Sequence, residues 1–155
     1  KYGFKSIASD YYAFADLDNT YPFNKLIDMF EVITSKEKRI DMVSGGRLHS
    51  QSQIPFIRNL GNMFYSHLTR AIFKCEIVDT CSGMRIFSNT VKNSILNLKQ
   101  ADLSFSIELT AFALKNNWKL KEVPILYRER LGKSKLSIVK DGFIFLFILL
   151  KVKLS

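Results

Sequence analysis

The sequence predicts an α/β layered domain, and three observations predict it. Short runs mixing aromatic and small apolar residues stop abruptly at polar turns, as strands do. Between them apolar residues recur at three- and four-residue steps, the spacing of a helix with one buried face. The two patterns alternate along the chain, which is the signature of a sheet layered with helices.

The first strand is YYAFAD, residues 11–16, which ends at Asp-Leu-Asp-Asn and cannot continue past Pro22. From Phe23 the period changes: Leu26, Ile27, Met29, Phe30 and Ile33 describe a helix. RIDMVSGGR predicts a short strand over 40–43 that breaks at Gly45-Gly46 and delivers Arg47 into a loop. GNMFYSHLTRAIF returns to helical spacing, and VDTCSGMRIFS reads as a loop or short strand with Gly83 between Asp79 and Arg85. Helices follow around TVKNSILNL and FSIELTAFALKNN, then a strand around KEVPILYRE, a polar break RLGKSK, and a last helix from about Leu136. The division expected is a main domain over residues 1–135 and a C-terminal apolar helix over 136–155.

A chain of 155 residues with 47% apolar content can bury a real core, so neither disorder nor a disulfide-stapled mini-fold is needed. Lys and Arg number 23 against 14 Asp and Glu, a formal +9 that points to an anionic partner: nucleic acid, a phosphorylated small molecule or an acidic membrane face. Cys75 and Cys81 read as reduced thiols, which suits a reducing, cytosol-facing compartment. No apolar run approaches the ~18 to 20 residues of a bilayer span. FIFLFILL, residues 143–150, followed by Lys151 and Lys153, suits either an interfacial helix or a helix packed on the sheet.

The loops carry the chemistry. Asp16 and Asp18 lie at i and i+2 beyond a strand end, where both can turn toward a hard divalent cation that takes oxygen ligands. Asp and Asn near a proline also form ordinary turns that bond local backbone, so the pair alone leaves both readings open. Later loops repeat arginine or lysine at glycine breaks, in GGR, SGMR and YRERLGKSK. Glycine admits close backbone approach and guanidinium forks match phosphate oxygens, although a solvated basic surface accounts for each loop singly.

Seven segments in order, ADLDNTYPF, DMVSGGR, NLGNMFYSHLTRAIF, VDTCSGMRIF, FSIELTAFAL, KEVPILYRER and GKSKL, resemble the family 2 glycosyltransferases, in particular the branch similar to dolichol-phosphate mannose synthase and polyprenyl-phosphate sugar synthases. The resemblance covers essentially the whole chain. It implies a glycosyltransferase A-type fold with a central mixed sheet, and a metal-dependent, inverting hexosyl transfer from a nucleotide-sugar donor to a polyprenyl phosphate at the cytoplasmic face of a membrane. By the same resemblance Asp16 and Asp18 hold Mg²⁺ or Mn²⁺ against the donor diphosphate, and Thr20 stands where relatives often have a further glutamine ligand. Arg47, Arg85, Arg128, Arg130, Lys133, Ser134 and Lys135 match the residues that bind donor diphosphate and acceptor phosphate, and Asp79 matches an aspartate that acts as base or orients the acceptor. Lipid phosphate is already ionised near neutral pH, so positioning outweighs deprotonation.

Two carboxylates stand in less specific surroundings. Glu108 suits a buried anchor for an arginine as well as a catalytic role, and internal pairing with Arg85 is the lesser alternative for Asp79. His49 and His67 lack metal-type spacing and read as a surface and a helix-face residue. Only about fifteen residues precede Asp16, whereas the family has a long nucleoside-binding segment there. The resemblance therefore implies a C-terminal portion with the N-terminal part missing, and little transferase activity in this chain alone. The competing classes are a basic nucleic-acid-binding module and a non-catalytic membrane-docking module. The aromatic residues fall on apolar faces instead of interleaving with Arg and Lys, which speaks against nucleic acid as a partner.

Overall fold

The structure is a computed structural model that describes residues 2–36, 39–48, 52–100, 102–129 and 138–155, with side chains of the last segment from 140 onward. Four strands, β1 (Tyr11–Phe14), β2 (Met42–Gly46), β3 (Arg85–Ser88) and β4 (Leu120–Pro124), make one mixed sheet in the order β1-β3-β2-β4. β3 is antiparallel to both β1 and β2, with Tyr12 opposite Phe87 and Val43 opposite Ile86, while β4 is parallel to β2. The helices are α1 (Tyr2–Ser6), α2 (Lys25–Thr34), α3 (Phe56–Phe73), α4 (Lys92–Leu96, after a 3-10 turn at Asn89–Val91), α5 (Phe105–Lys115) and α6 (Ile138–Leu154).

Neighbouring strand residues point to opposite faces, and each face has its own core. Val43 and Ile86 join Met29 and Ile33 of α2 with Val123 and Ile125. Met42 and Phe87 face the other way, onto Ile95 of α4 and Leu109 and Ala113 of α5. A third cluster joins Ile107 and Ala111 of α5 to Phe145, Ile148 and Leu149 of α6, flanked by Tyr65, Leu68 and Ile72 of α3. α5 thus touches the sheet on one side and α6 on the other, and Ile107 to Ala111 are all buried. This explains why its sequence is apolar nearly all round.

The expected elements form, with instructive differences. α2 buries Met29 and Ile33, but Ile27 faces solvent and Phe30 is half exposed, its ring edge-on to Tyr11 at 5.5 Å. β2 does not break at its glycines, as the sequence suggested; it continues through both. A Cβ on Gly45 would lie 2.7 Å from Ile125 Cδ1, and the Gly45 amide donates to Met84 O at 2.9 Å. Here glycine permits close approach inside a strand instead of ending it. β4 ends at Pro124 and pairs with β2 alone, an edge position that tolerates proline. Its alternation persists beyond the ladder, burying Ile125 and Tyr127.

The short α1 has no helical periodicity to announce it; Phe4 ties it to the sheet, edge-on to Phe87 at 5.1 Å. α6 is packed, and it also shows solvent an apolar stripe of Phe143, Phe147, Leu150 and Leu154. Among the described residues, no helix is long and apolar enough to cross a membrane. The polar break RLGKSK lies outside the described residues.

Gly45→Ala is expected to lower unfolding free energy by about 1–3 kcal/mol through overpacking. Adding Ile125→Val, which removes the clashing methyl, should restore part of it. Denaturant melts of the two single variants and the double variant check this; strictly additive losses would contradict the packing argument.

Candidate functional site

The turn after β1 is shaped by its own side chains. Asn19 takes a left-handed backbone with φ 67, which asparagine adopts more readily than most residues. The Asp18 carboxylate accepts the Thr20 amide at 3.3 Å and the Thr20 hydroxyl at 2.5 Å. Thr20 is fully buried, so its hydroxyl serves to hold Asp18. Asp16 is exposed and reaches the neighbouring loop: a Cβ on Gly83 would sit 2.6 Å from Asp16 Oδ2. Glycine at 83 is therefore what lets this carboxylate approach.

Beside this turn stands a buried ion pair. Arg47 Nε donates to Asp79 Oδ2 at 2.6 Å, its Nη2 to Asp79 Oδ1 at 2.9 Å and its own amide to Oδ2 at 3.0 Å, a bidentate fork closed by a backbone bond. The Cys81 amide adds a fourth bond to Asp79 at 3.2 Å. Burial works against the charge on Asp79, but the Arg47 guanidinium and these bonds outweigh it and hold the carboxyl below the usual aspartate range. Burial also works against the charge of Arg47, and Asp79 more than compensates, raising Arg47 well above its ordinary value. The internal partner that the sequence offered Asp79, as the alternative to a catalytic or orienting role, was Arg85; the partner is Arg47.

Tyr21 joins turn and pair. Its hydroxyl accepts the Gly83 amide at 2.7 Å and Arg47 Nη1 at 3.3 Å, its ring meets Tyr127 edge-on at 5.6 Å, and Arg47 lies over the Tyr127 ring at 5.5 Å. The Arg128 amide donates to Thr20 O at 3.0 Å, which brings the exposed Arg128 to the same turn. Asp16, Asp18, Arg47, Asp79 and Arg128 are thus gathered at one end of the sheet.

Arg85 opens β3 at the same end of the sheet, opposite Phe14 and Ser44, but its side chain is turned into the protein, unlike the expected residue of an open phosphate-binding loop. It is 1% exposed, with Nε donating to Ser82 O and Nη2 to Thr80 O and Ser106 O at 3.0 to 3.1 Å. Burial lowers its pKa to about 10, still charged at neutral pH, and its donors organise the 80–84 loop from within. Among the described residues Glu108 meets backbone amides instead of an arginine: its two oxygens accept the Lys99 and Gln100 amides at 3.2 and 2.8 Å. His67 pairs with Arg70 along α3, Nη2 lying 2.8 Å from Nδ1. Arg130, Lys133, Ser134, Lys135 and His49 lie outside the described residues.

Tyr21 and Glu122 were not singled out from the sequence. Tyr21 had a signal, since it stands directly after the two-aspartate turn; Glu122 had none, being one charged residue in an alternating strand. Cys75 and Cys81 are free thiols. Burial and the nearby Asp79 charge push Cys81 up to about 12, so it is a protonated packing residue at neutral pH. A cleft of about 330 Å³ opens alongside, where Leu48 and Val78, the neighbours of Arg47 and Asp79, face Asn59, Ser66, His67 and Arg70 of α3.

Among the described residues no cluster of three or more His, Cys, Asp or Glu forms a metal cage. Asp16 and Asp18 supply two hard oxygen donors at an open rim, which suits an ion that keeps water and substrate oxygens in its shell.

No family model matches the chain. It is 30% identical over 128 residues to a dolichyl-phosphate hexose transferase of Haloferax volcanii, covering 82% of this chain and 54% of that protein. It is 28% identical over 146 residues to the low-salt glycan biosynthesis hexosyltransferase Agl6 of the same organism, covering 92% and 35%. In fold it matches glucosyl-3-phosphoglycerate synthase from Mycobacterium tuberculosis, solved with Mn²⁺, UDP-glucose and phosphoglyceric acid, with a TM-score of 0.69 at 13% identity over 97% of this chain and 52% of that one. The chain spans about half the length, or less, of the relatives it matches. The mixed sheet with its helices is the glycosyltransferase A-type fold. Together with the named relatives it supports a family 2-like glycosyltransferase.

The lowered Asp79 pKa has a consequence for stability. A carboxyl with a lower pKa folded than unfolded contributes stability above its unfolded value, and loses it as pH falls toward the folded one. Unfolding free energy should therefore drop as pH goes below the ordinary aspartate value of 3.8. Asp79→Asn should flatten that segment while costing about 3–5 kcal/mol at neutral pH, because Arg47 is left buried and unpaired. Urea melts across the acid range check both; an unchanged acid slope would contradict the argument.

Proposed function

We propose that this chain contributes the metal and acceptor side of an inverting hexosyltransferase that moves a sugar from a nucleotide-sugar to a polyprenyl phosphate. The observation that carries the reading is the convergence of the Asp16–Asp18 turn and the Arg47–Asp79 pair on Gly83 and Tyr21. The dolichyl-phosphate hexose transferase among the relatives favours a polyprenyl phosphate acceptor, and the structural neighbour bound to Mn²⁺ and UDP-glucose favours a nucleotide-sugar donor with Mg²⁺ or Mn²⁺.

Asp16 and Asp18 would hold the divalent ion, whose chemistry when bound is to neutralise negative charge gathering on the departing nucleoside diphosphate. The acceptor phosphate oxygen forms the new bond to the anomeric carbon as the bond to the diphosphate breaks, and the diphosphate leaves with that electron pair. No proton need be removed from an ionised phosphate. Asp79 acts by orienting, since its carboxylate is already committed to Arg47 and cannot serve as a free base while that fork is intact. Arg47 in turn has Nη1 directed to Tyr21, on the side of the aspartate turn, and Arg128 at the rim supplies a further cation for phosphate oxygens.

The exposed apolar residues Phe56, Ile57, Leu60 and Phe64 of α3 and the stripe of α6, ending in Lys151 and Lys153, suit the cytoplasmic face of a membrane, where a polyprenyl acceptor resides. The two helices are joined near that surface by a bond from the Tyr65 hydroxyl to Gly142 O at 2.7 Å.

In the full-length protein, Asp18→Ala is expected to cut divalent-cation-dependent transfer to dolichyl phosphate by roughly 100-fold or more, the scale on which removing charge stabilisation acts. Unchanged turnover would overturn the site assignment. Phe147→Ser with Leu150→Ser should weaken co-sedimentation with anionic phospholipid vesicles, leaving thermal stability nearly unchanged because both residues face solvent. Equal vesicle binding would remove the membrane surface from the proposal.

A further inference from the structure

The loop carrying Asp79 is held by a carboxylate that the reaction does not use. Glu122 sits in β4 opposite Ser44 of β2, and its side chain lies along Gly46, where an added Cβ would be 3.7 Å from Oε1. From there Oε2 accepts the Val78 amide at 2.6 Å and Oε1 the Asp79 amide at 2.9 Å. Two successive amides converging on one anion make the concave cradle that backbone forms around negative groups. The anion filling it comes from the protein itself.

We propose that Glu122 is a positioning residue, which sets where the Asp79 carboxylate, and through it the Arg47 guanidinium, stand at the reaction centre. The inference rests on the reading of Asp79 and Arg47 as the acceptor-side pair. Three features favour a positioning role over a general packing one. Both Glu122 oxygens are spent on the backbone of Asp79 and its neighbour, and the amide of Asp79 itself is one of the two donors. Asp79 stands directly between Glu122 and Arg47, its amide bonded to the first and its carboxylate to the second. The arrangement is also costly: burial raises the Glu122 pKa, and the charge of Asp79 adds to that rise against the pull of the two amides and of Arg85. A domain needing only to close a loop could do so with a neutral acceptor.

The experiment uses the full-length protein, with dolichyl phosphate as acceptor and the nucleotide hexose that the wild type turns over. Glu122→Gln preserves shape but replaces one of the two acceptors with a donor. It is expected to lower kcat roughly 10- to 100-fold, the scale of a small misplacement at a reaction centre, with the donor KM unchanged. Combined with Asp79→Asn it should add nothing further to the loss, because Glu122 acts only through Asp79. Glu122→Asp, which keeps the charge but falls short of the amides, should behave like Glu122→Gln and replaces it if thermal melts show that variant unfolded. A wild-type kcat in either folded variant, or losses that multiply in the double variant, would overturn the inference and leave the transferase reading standing. If Asp79→Asn leaves kcat unchanged, or the wild type transfers no hexose, the reading of the pair or of the reaction fails first and takes this inference with it.

Discussion

The bidentate bond between Arg47 and Asp79 is the constraint on which the rest of the site depends. Taking two charges out of water costs several kcal/mol per ion, and the attraction repays it only where geometry is good and remaining polar atoms are satisfied. Here Asp79 accepts four hydrogen bonds, and Arg47 adds a bond to Tyr21 and a stack over Tyr127. The pair fixes the end of β2 to the loop before β3, and Tyr21 passes that fixation to the aspartate turn. The two-aspartate turn and the Arg47 guanidinium are thereby kept in register by one buried contact.

The loop between Asp79 and Gly83 is pinned from two sides by opposite charges. Glu122 takes amide donors at its start, and Arg85 takes carbonyl acceptors at Thr80 and Ser82. An irregular loop has no regular ladder for these groups, so ionised side chains make the bonds that a neighbouring strand would make elsewhere. Part of the chain's charge is therefore internal. Arg47 and Arg85 contribute to the formal +9 but present little of it to solvent.

The layered fold was legible because its signals are periodic: alternation in β1 and β4 and helical spacing in α3 and α5 follow from burying one face or all of it. Asp16, Asp18, Arg47 and Asp79 were legible as residue types at loop breaks. What could not be read was which partner each would choose. Arg85 and Arg47 look alike in sequence, each following a glycine-containing loop; only the folded loop puts the first among carbonyls and the second against a carboxylate. Gly45 reads as a break because glycine usually is one, and its use against Ile125 depends on a strand about eighty residues later in the chain. Glu122 gave no sign, since alternation predicts an exposed charge there and the amides it accepts belong to a loop some forty residues away.

α5 meets the sheet through Leu109 and Ala113 and α6 through Ile107 and Ala111, so it is a shared wall with no solvent-facing strip between those positions. Close-packed interiors transmit displacement poorly absorbed by voids. A load applied to the outer helix is therefore passed toward Met42 and Phe87 in the sheet, and the exposed apolar stripe of α6 is mechanically continuous with the strand whose end carries Arg47.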